Sequence, residues 1–326
     1  MTSPPRGAGS AAQQVRLASG RTVPVVNVLA LSLADPGEGG TVRVPVRACA
    51  DALAAAGATL EPVTATSDAE IDQVLARLDG PARPDGLPWP DPDPRTRLVV
   101  AVAADAQLRA VLRRMVRRWA PPPSRRPPDL RSDRTVPDLP PVGLLPLGPA
   151  SSGGDLVDRL GLPRQPEAVA AAVLAGHVRR LDLLRTDAGS VTVDGTLLGG
   201  SDRTGRAVPF TARVDVDDVR LSDGDEPLLA AAVANGDGYV RPDGLPLVTA
   251  ARPDDGALDV AVALPVRHRW RRRVRVEVRR ARGRAVTVHP TGDGVPCLDD
   301  GVAAEVSRAR SWWVEPGAWG VYTAAG

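Results

Sequence analysis

The sequence predicts an α/β domain built on a parallel sheet, followed by an antiparallel β-sandwich domain. Short apolar runs alternate with segments of helical period up to about residue 178. Beyond Arg180 helical periodicity almost disappears, and short strands recur between Gly/Asp turns. Charged residues are 25% and apolar residues 43% of the 326, a globular composition with room for two domains. The expected division is a disordered Ser/Gly/Ala/Pro leader over 1–20, the α/β domain over 21–180 and the sandwich over 181–326. A Pro/Arg-rich insertion at 120–141 interrupts the first domain, and the final strand is free to return to it.

The elements follow in order. Thr22–Leu31 reads as a strand and Asp35–Gly40 as a turn. Val44–Ala56 has helical spacing, with Gly57 placed to end it. Leu60–Val63 reads as a strand and Asp68–Leu78 as a helix capped by Ser67 or Asp68. Asp79–Arg95 is punctuated by prolines and glycines and reads as a loop. The unbroken apolar run Leu98–Ala103 suits a strand buried on both faces. Gln107–Trp119 puts Leu108, Val111, Leu112 and Met115 on one helical face. Ala120–Pro141 reads as an exposed, partly extended excursion. Val142–Leu147 is a strand, and Gly154–Leu160 a helix stopped by Gly161 and Pro163.

The second half reads as strands at Ser190–Thr196, Val208–Leu221, Leu228–Ala234, Leu258–Leu264, Val274–Val278 and Val286–His289. Arg267–Arg284 holds ten arginines. Alternation there predicts Val274, Val276 and Val278 facing inward, with Arg273, Arg275, Glu277 and Arg279 outward. Such a face is either a solvated strand surface or a patch for anionic lipid headgroups. Trp270 is its only aromatic, which argues against nucleic acid.

Several chemistries are excluded. Every one of the 41 basic residues is arginine, so no lysine is present for a phosphate loop, a kinase strand or a Schiff base. The net charge of +2 is not that of a nucleic-acid polycation. His177, His268 and His289 lack metal-ligand spacing to each other or to Cys49 and Cys297. No GxSxG or GxGxxG follows a strand. No run reaches the ~18 apolar residues of a membrane span, and residues 1–20 lack a signal-peptide core. With two distant cysteines, these features predict a cytoplasmic protein.

One ordered series of motifs goes further. Gly143-Leu-Leu-Pro-Leu-Gly-Pro149 is followed by Gly154-Asp-Leu-Val-Asp-Arg-Leu-Gly-Leu-Pro163, then Asp182, then Asn235-Gly236 with Tyr239. Ala251-Arg-Pro-Asp-Asp-Gly-Ala-Leu-Asp-Val260, Asp300-Gly301 and Glu315-Pro-Gly-Ala-Trp319 complete it. Over residues 22–322 this series resembles the bacterial diacylglycerol and related lipid kinases. The resemblance implies an α/β nucleotide domain and a β-sandwich with the substrate cleft between them. It also implies transfer of the ATP γ-phosphoryl to a lipid hydroxyl, with Mg²⁺ and a base.

The chain departs from that pattern at three functional places. Where the family has Gly-Gly-Asp-Gly-Thr to cradle phosphate, this chain reads Ala103-Ala104-Asp105-Ala106-Gln107. Alanine Cβ atoms obstruct the close approach that glycine allows. The Gly-Thr and Asn-Asp pairs read Gly148-Pro149 and Gly154-Asp155, removing a hydroxyl, an N–H and an amide. The base position is Val302, and Glu305 is the nearby carboxylate that could substitute. Asp105 and Asp155 read first as a helix N-terminal charge and an N-cap. The family's structural Mg²⁺ loop falls on the Asp255 side chain with the carbonyls of Arg252 and Ala257; an Asp-Gly turn explains the same residues.

The reading is therefore a lipid-kinase-family protein, pseudokinase in type, with activity weak or lost and a binding or regulatory role remaining. The alternatives are an active kinase with a rewired phosphate loop and a structural, partner-binding protein. ATP and Mg²⁺ are the cofactors that the resemblance implies. The expected partner is an anionic lipid or membrane surface at Arg267–Arg284, peripheral to the inner face, with homo-oligomerisation left open.

Overall fold

The computed structural model describes residues 14–16, 22–24, 26–34, 42–92, 95–149, 154–236, 238, 245–267 and 274–324. Strands β1 (Gln14–Arg16) and β2 (Thr22–Pro24) form an antiparallel hairpin. Part of the expected disordered leader is therefore strand. The expected Thr22–Leu31 strand is two, the second being β3 (Asn27–Leu33). Helix α1 (Val44–Ala55) ends just before Gly57, whose φ of +78° suits glycine. Next come β4 (Thr59–Ala65) and α2 (Asp68–Ala76), where Ser67 caps the helix by accepting the Glu70 N–H at 3.3 Å. Strand β5 (Thr96–Val102), α3 (Asp105–Trp119), β6 (Val142–Pro146), α4 (Leu156–Arg159) and α5 (Pro166–Ala175) complete this half.

The parallel order is β6-β5-β3-β4. Alternation along each strand divides its side chains between two cores. Leu29, Leu31, Leu98, Val100 and Val102 pack beneath α2 and α3. Val28, Ala30, Val99 and Ala101 pack beneath α1 and α5 on the other face. This double burial is why Leu98–Ala101 can be continuously apolar.

The remaining strands are β7 (Val178–Thr186), β8 (Val191–Thr192), β9 (Gly195–Leu198), β10 (Gly200–Ser201), β11 (Ala207–Val208), β12 (Ala212–Val216), β13 (Val219–Asp223) and β14 (Ala230–Ala234). Then come β15 (Leu258–Arg267), β16 (Val274–Gly283), β17 (Ala285–Pro290), β18 (Val295–Asp299), β19 (Val302–Val306) and β20 (Arg310–Tyr322). One antiparallel sheet has the order β16-β15-β14-β9-β18-β19. Strands β13-β12-β17-β20 continue the parallel sheet through a single parallel contact, Val321 with Val142. Apolar side chains of both sheets, among them Val214, Val288, Trp312, Val233 and Val260, fill the space between them.

Further expectations need correction. The Ser190–Thr196 run is two strands, β8 and β9, parted by a turn at Val193 and Asp194. The Val208–Leu221 run is not one strand: Asp217 takes φ +45° and turns the chain between β12 and β13. The Pro/Arg insertion is not wholly exposed, because Val136, Leu139 and Arg134 are buried within it. In β16, Val278 packs beneath the 247–248 loop and Val276 is exposed. It is Ala281, with Arg279 two residues before it, that turns toward the opposite sheet, where Arg279 pairs with Glu226. Val274 opposes Arg267 at the strand end, so register with β15 decides which parity faces in.

Candidate functional site

The site is built where β5 and β6 deliver their C-terminal ends to the sandwich. Strand β5 stops at Val102, Ala104 takes extended angles, and α3 starts at Asp105. The Ala103 N–H donates to Gln107 Oε1 at 2.7 Å, and Gln107 Nε2 donates to the Leu33 carbonyl at the end of β3 at 3.4 Å. The side chain of α3's first turn thus folds back over the loop that it follows. Ala103 and Ala104 are exposed, and Ala106 and Gln107 are half-buried.

Asp105 points across to α4. Its carboxylate accepts the Leu156 N–H at 3.3 Å and pairs with Arg159 at 3.1 Å. Arg159 also meets Asp194, from the turn between β8 and β9, at 3.2 Å. The Asp194 carbonyl accepts the N–H groups of Asn235 and Gly236 at 2.8 and 2.7 Å. Asn235, 1% exposed, donates from Nδ2 to the carbonyls of Asp182 and Val193. Tyr239 lies outside the described residues. Asp155 caps α4 by accepting the Asp158 N–H at 3.0 Å, and Arg164 pairs with it at 2.7 Å. Burial works against the Asp155 charge, yet Arg164 and the Asp158 N–H hold its carboxyl below the usual range. Pro149, exposed on the β6 side, is separated from this cluster by residues outside the description.

A second arginine joins the two halves. Arg109, one turn along α3 from Asp105, donates to the Val191 carbonyl at 2.8 Å and the Ser190 hydroxyl at 2.9 Å. It pairs with Asp299 and lies 3.6 Å from Asp300. Asp299 accepts the Thr192 and Thr196 hydroxyls at 2.7 Å each. Asp300, 1% exposed with φ +47°, accepts the N–H groups of Val193, Asp194 and Gly195 at 2.7, 2.9 and 3.1 Å. Burial and the Asp299 charge push the Asp300 carboxyl up, against the pull of those N–H groups.

Val302 opens β19 opposite Asp299, while Glu305 is exposed opposite Pro296. Three residues of strand separate them by about 10 Å and put them on opposite faces. Glu305 therefore does not reach the place that Val302 occupies. Arg109, Arg159, Asp194 and Asp299 were not singled out from the sequence as site residues. Their only local signal is the Asp105/Arg109 spacing of one helical turn.

The predicted metal loop is engaged by protein groups. Asp255 pairs with Arg282 and accepts the Ala257 N–H at 3.2 Å; Arg252 lies 3.5 Å from Asp254. Asp182 clamps this loop to β20, accepting the Gly256 N–H at 2.6 Å and the Gly317 N–H at 2.7 Å. Burial raises its pKa. Among the described residues no group of three or more His, Cys, Asp or Glu could hold a metal ion. The residues at the Ala103 loop do not fit a phosphate cradle: its N–H is spent on Gln107, and Cβ atoms occupy the glycine positions.

Residues 268–273, with Arg269, Arg271, Arg272 and Arg273 among them, lie outside the described residues, as do the side chains of Arg267 and Val274. Of the described arginines in the stripe, Arg279 pairs with Glu226 and Glu277, and Arg282 with Asp255. Arg280 donates to the Leu247 and Pro246 carbonyls. Among the described residues no helix is long and apolar enough to cross a membrane.

No protein-family pattern matches the chain, and no curated protein sequence does. Solved structures do. Three from Bacillus anthracis strain Sterne are described as diacylglycerol kinases, two of them provisionally. One is 14% identical with a TM-score of 0.61, and the others are 13% identical with 0.59 and 0.56. Each match covers 93% of this chain and 98% of the other. Agreement over nearly the whole of both chains gives this protein the fold of those diacylglycerol kinases.

Proposed function

We propose that this protein is a kinase-fold relative whose ATP-dependent phosphorylation of a lipid hydroxyl is weak or lost, leaving a binding or regulatory role. One observation carries the reading: the Ala103 N–H, placed where a phosphate would be cradled, is satisfied by the protein's own Gln107. Preorganised donors stabilise a transferring phosphoryl only if they are free to face it. Val302 adds a second defect, since a valine at the base position accepts no proton. Losing a general base costs about 10²–10⁴-fold, and losing a preorganised donor about 10²–10³-fold. Together these reduce a kinase turnover of ~1–100 s⁻¹ to background.

The same reading divides function near residue 180, with the nucleotide-type half before it and the sandwich after it. Arg267–Arg284 is its anionic-lipid surface, supported by the exposure of Arg275, at the inner face of the membrane. The test is ATP-dependent phosphorylation of diacylglycerol in mixed micelles, run beside melting with and without Mg-ATP. We expect no turnover and no rise in Tm. ATP-dependent turnover above background, whether or not Glu305→Gln abolishes it, would overturn the reading and make the protein an active kinase with a rewired loop.

A further inference from the structure

At the other end of the parallel sheet the Pro/Arg segment borders a solvent-open pocket of about 520 Å³. That size lies within the ~300–1,000 Å³ typical of small-molecule sites. Arg97 enters it from the start of β5, Arg180 from the start of β7 and Tyr322 from the end of β20. Arg134 comes from the segment itself. The seven residues of β5 place this cavity about 20 Å from the Ala103 loop.

Its donors are guanidinium groups. Prolines at 90, 92, 137, 140 and 141 line it and offer no N–H. Three aspartates line it as well, Asp91, Asp129 and Asp138; Asp129 pairs with Arg83 at 2.9 Å and Asp138 with Arg134 at 2.6 Å. Arg97 instead donates to the Val173 and Leu174 carbonyls at the end of α5 and sits 5.7 Å from the Tyr322 ring. Arg180 donates to the Leu139 carbonyl at 2.8 Å. Neither of these two makes an ion pair with a carboxylate among the described residues. Arg134 is 4% exposed, and its Nε is buried without a hydrogen-bond partner. Burial lowers the pKa of Arg180; the Asp138 charge opposes this, and the nearby Arg134 charge adds to the lowering. Crowding buried cations around a cavity is unfavourable unless an anion offsets it.

We propose that this pocket binds a small phosphate-bearing anion through Arg97, Arg134 and Arg180. Tetrahedral phosphate oxygens accept forked guanidinium donors, and several such groups can share one phosphate. The proline walls are conformationally restricted before binding, which lowers the ordering cost. The pocket volume suits a metabolite or a single headgroup. The site is separate from the Ala103 loop and independent of any kinase activity.

The test uses the full chain with inorganic pyrophosphate as probe, by titration calorimetry and melting. We expect saturable binding and a raised Tm. Arg180→Gln should weaken binding about tenfold or more, the worth of a charged hydrogen bond. Arg113→Gln, at a half-buried arginine on α3 that pairs with Asp68 and does not line the pocket, should leave it unchanged. No saturable binding, or equal weakening by both substitutions, overturns the proposal. Should Arg180→Gln fail to fold, phenylglyoxal labelling of the unaltered chain decides: pyrophosphate must protect Arg180, and absence of protection refutes the site. Phosphatidylcholine vesicles with and without phosphatidic acid then separate the sources. Arg180-dependent capture only by the phosphatidic acid vesicles supports a lipid headgroup, and pyrophosphate binding without vesicle capture supports a soluble phosphate ester.

Discussion

Gln107 accepts the Ala103 N–H at 2.7 Å, so the loop that ends β5 is closed by a side chain from the first turn of the helix that follows. Opening that loop is the direct way to ask whether nucleotide binding is latent. The combined substitutions Ala103→Gly, Ala104→Gly, Ala106→Gly and Gln107→Thr free the N–H and remove three Cβ atoms. We expect Mg-ATP to raise the Tm of this variant and not that of the unaltered chain. An equal response from both would show that Gln107 does not control the loop.

Arg109 ties α3 to the buried pair Asp299 and Asp300. Arg109→Ala leaves those carboxylates without their cation and should cost about 3–5 kcal/mol, as breaking buried ion pairs does. Urea unfolding monitored by tryptophan fluorescence reads this as a lowered midpoint. Arg113→Ala, whose partner Asp68 is half exposed, should cost no more than about 1 kcal/mol.

Asp182 titrates above its unfolded value because burial disfavours its charge. The folded state therefore holds the proton over a pH range in which the unfolded state has released it. In that window stability falls as pH rises, from the ordinary aspartate range up through the raised pKa. Asp182→Asn removes this contribution, so its curve of stability against pH should decline less steeply there. Identical slopes in the two proteins would count against a raised pKa. The lost carboxylate hydrogen bonds would lower the whole curve without changing its slope.

Gly236 packs against the Asp194 carboxylate: a Cβ there would lie 2.1 Å from Asp194 Oδ1, so that side chain must move to admit one. Gly236→Ala must displace the Asp194 carboxylate and with it the Arg159 bridge to Asp105. We expect a loss of about 1–3 kcal/mol, in line with overpacked sites. Gly205→Ala meets nothing within 4 Å but carries the strain of φ +77°, and serves as the comparison for backbone strain alone.

What the residues determine alone is what local periodicity encodes. The Leu98–Ala103 run specifies a strand covered on both faces, because only burial on both sides tolerates unbroken apolarity. The spacing of Leu108, Val111, Leu112 and Met115 specifies a helix with one core face. The alanines at 103, 104 and 106 and the valine at 302 were visible as departures, since they replace residues in ordered motifs. Tertiary structure alone shows where those residues sit and what they touch. Gln107 could have faced solvent, and Glu305 could have replaced Val302, until strand register put it about 10 Å away on the other face. The Arg109–Asp299 pair joins residues 190 apart, and Arg97, Arg134 and Arg180 meet only because the 120–141 segment folds back over the strand ends. A side chain's type and its neighbours within a turn are written locally. Its partners across the chain depend on how sheets and cores close, which no local pattern contains.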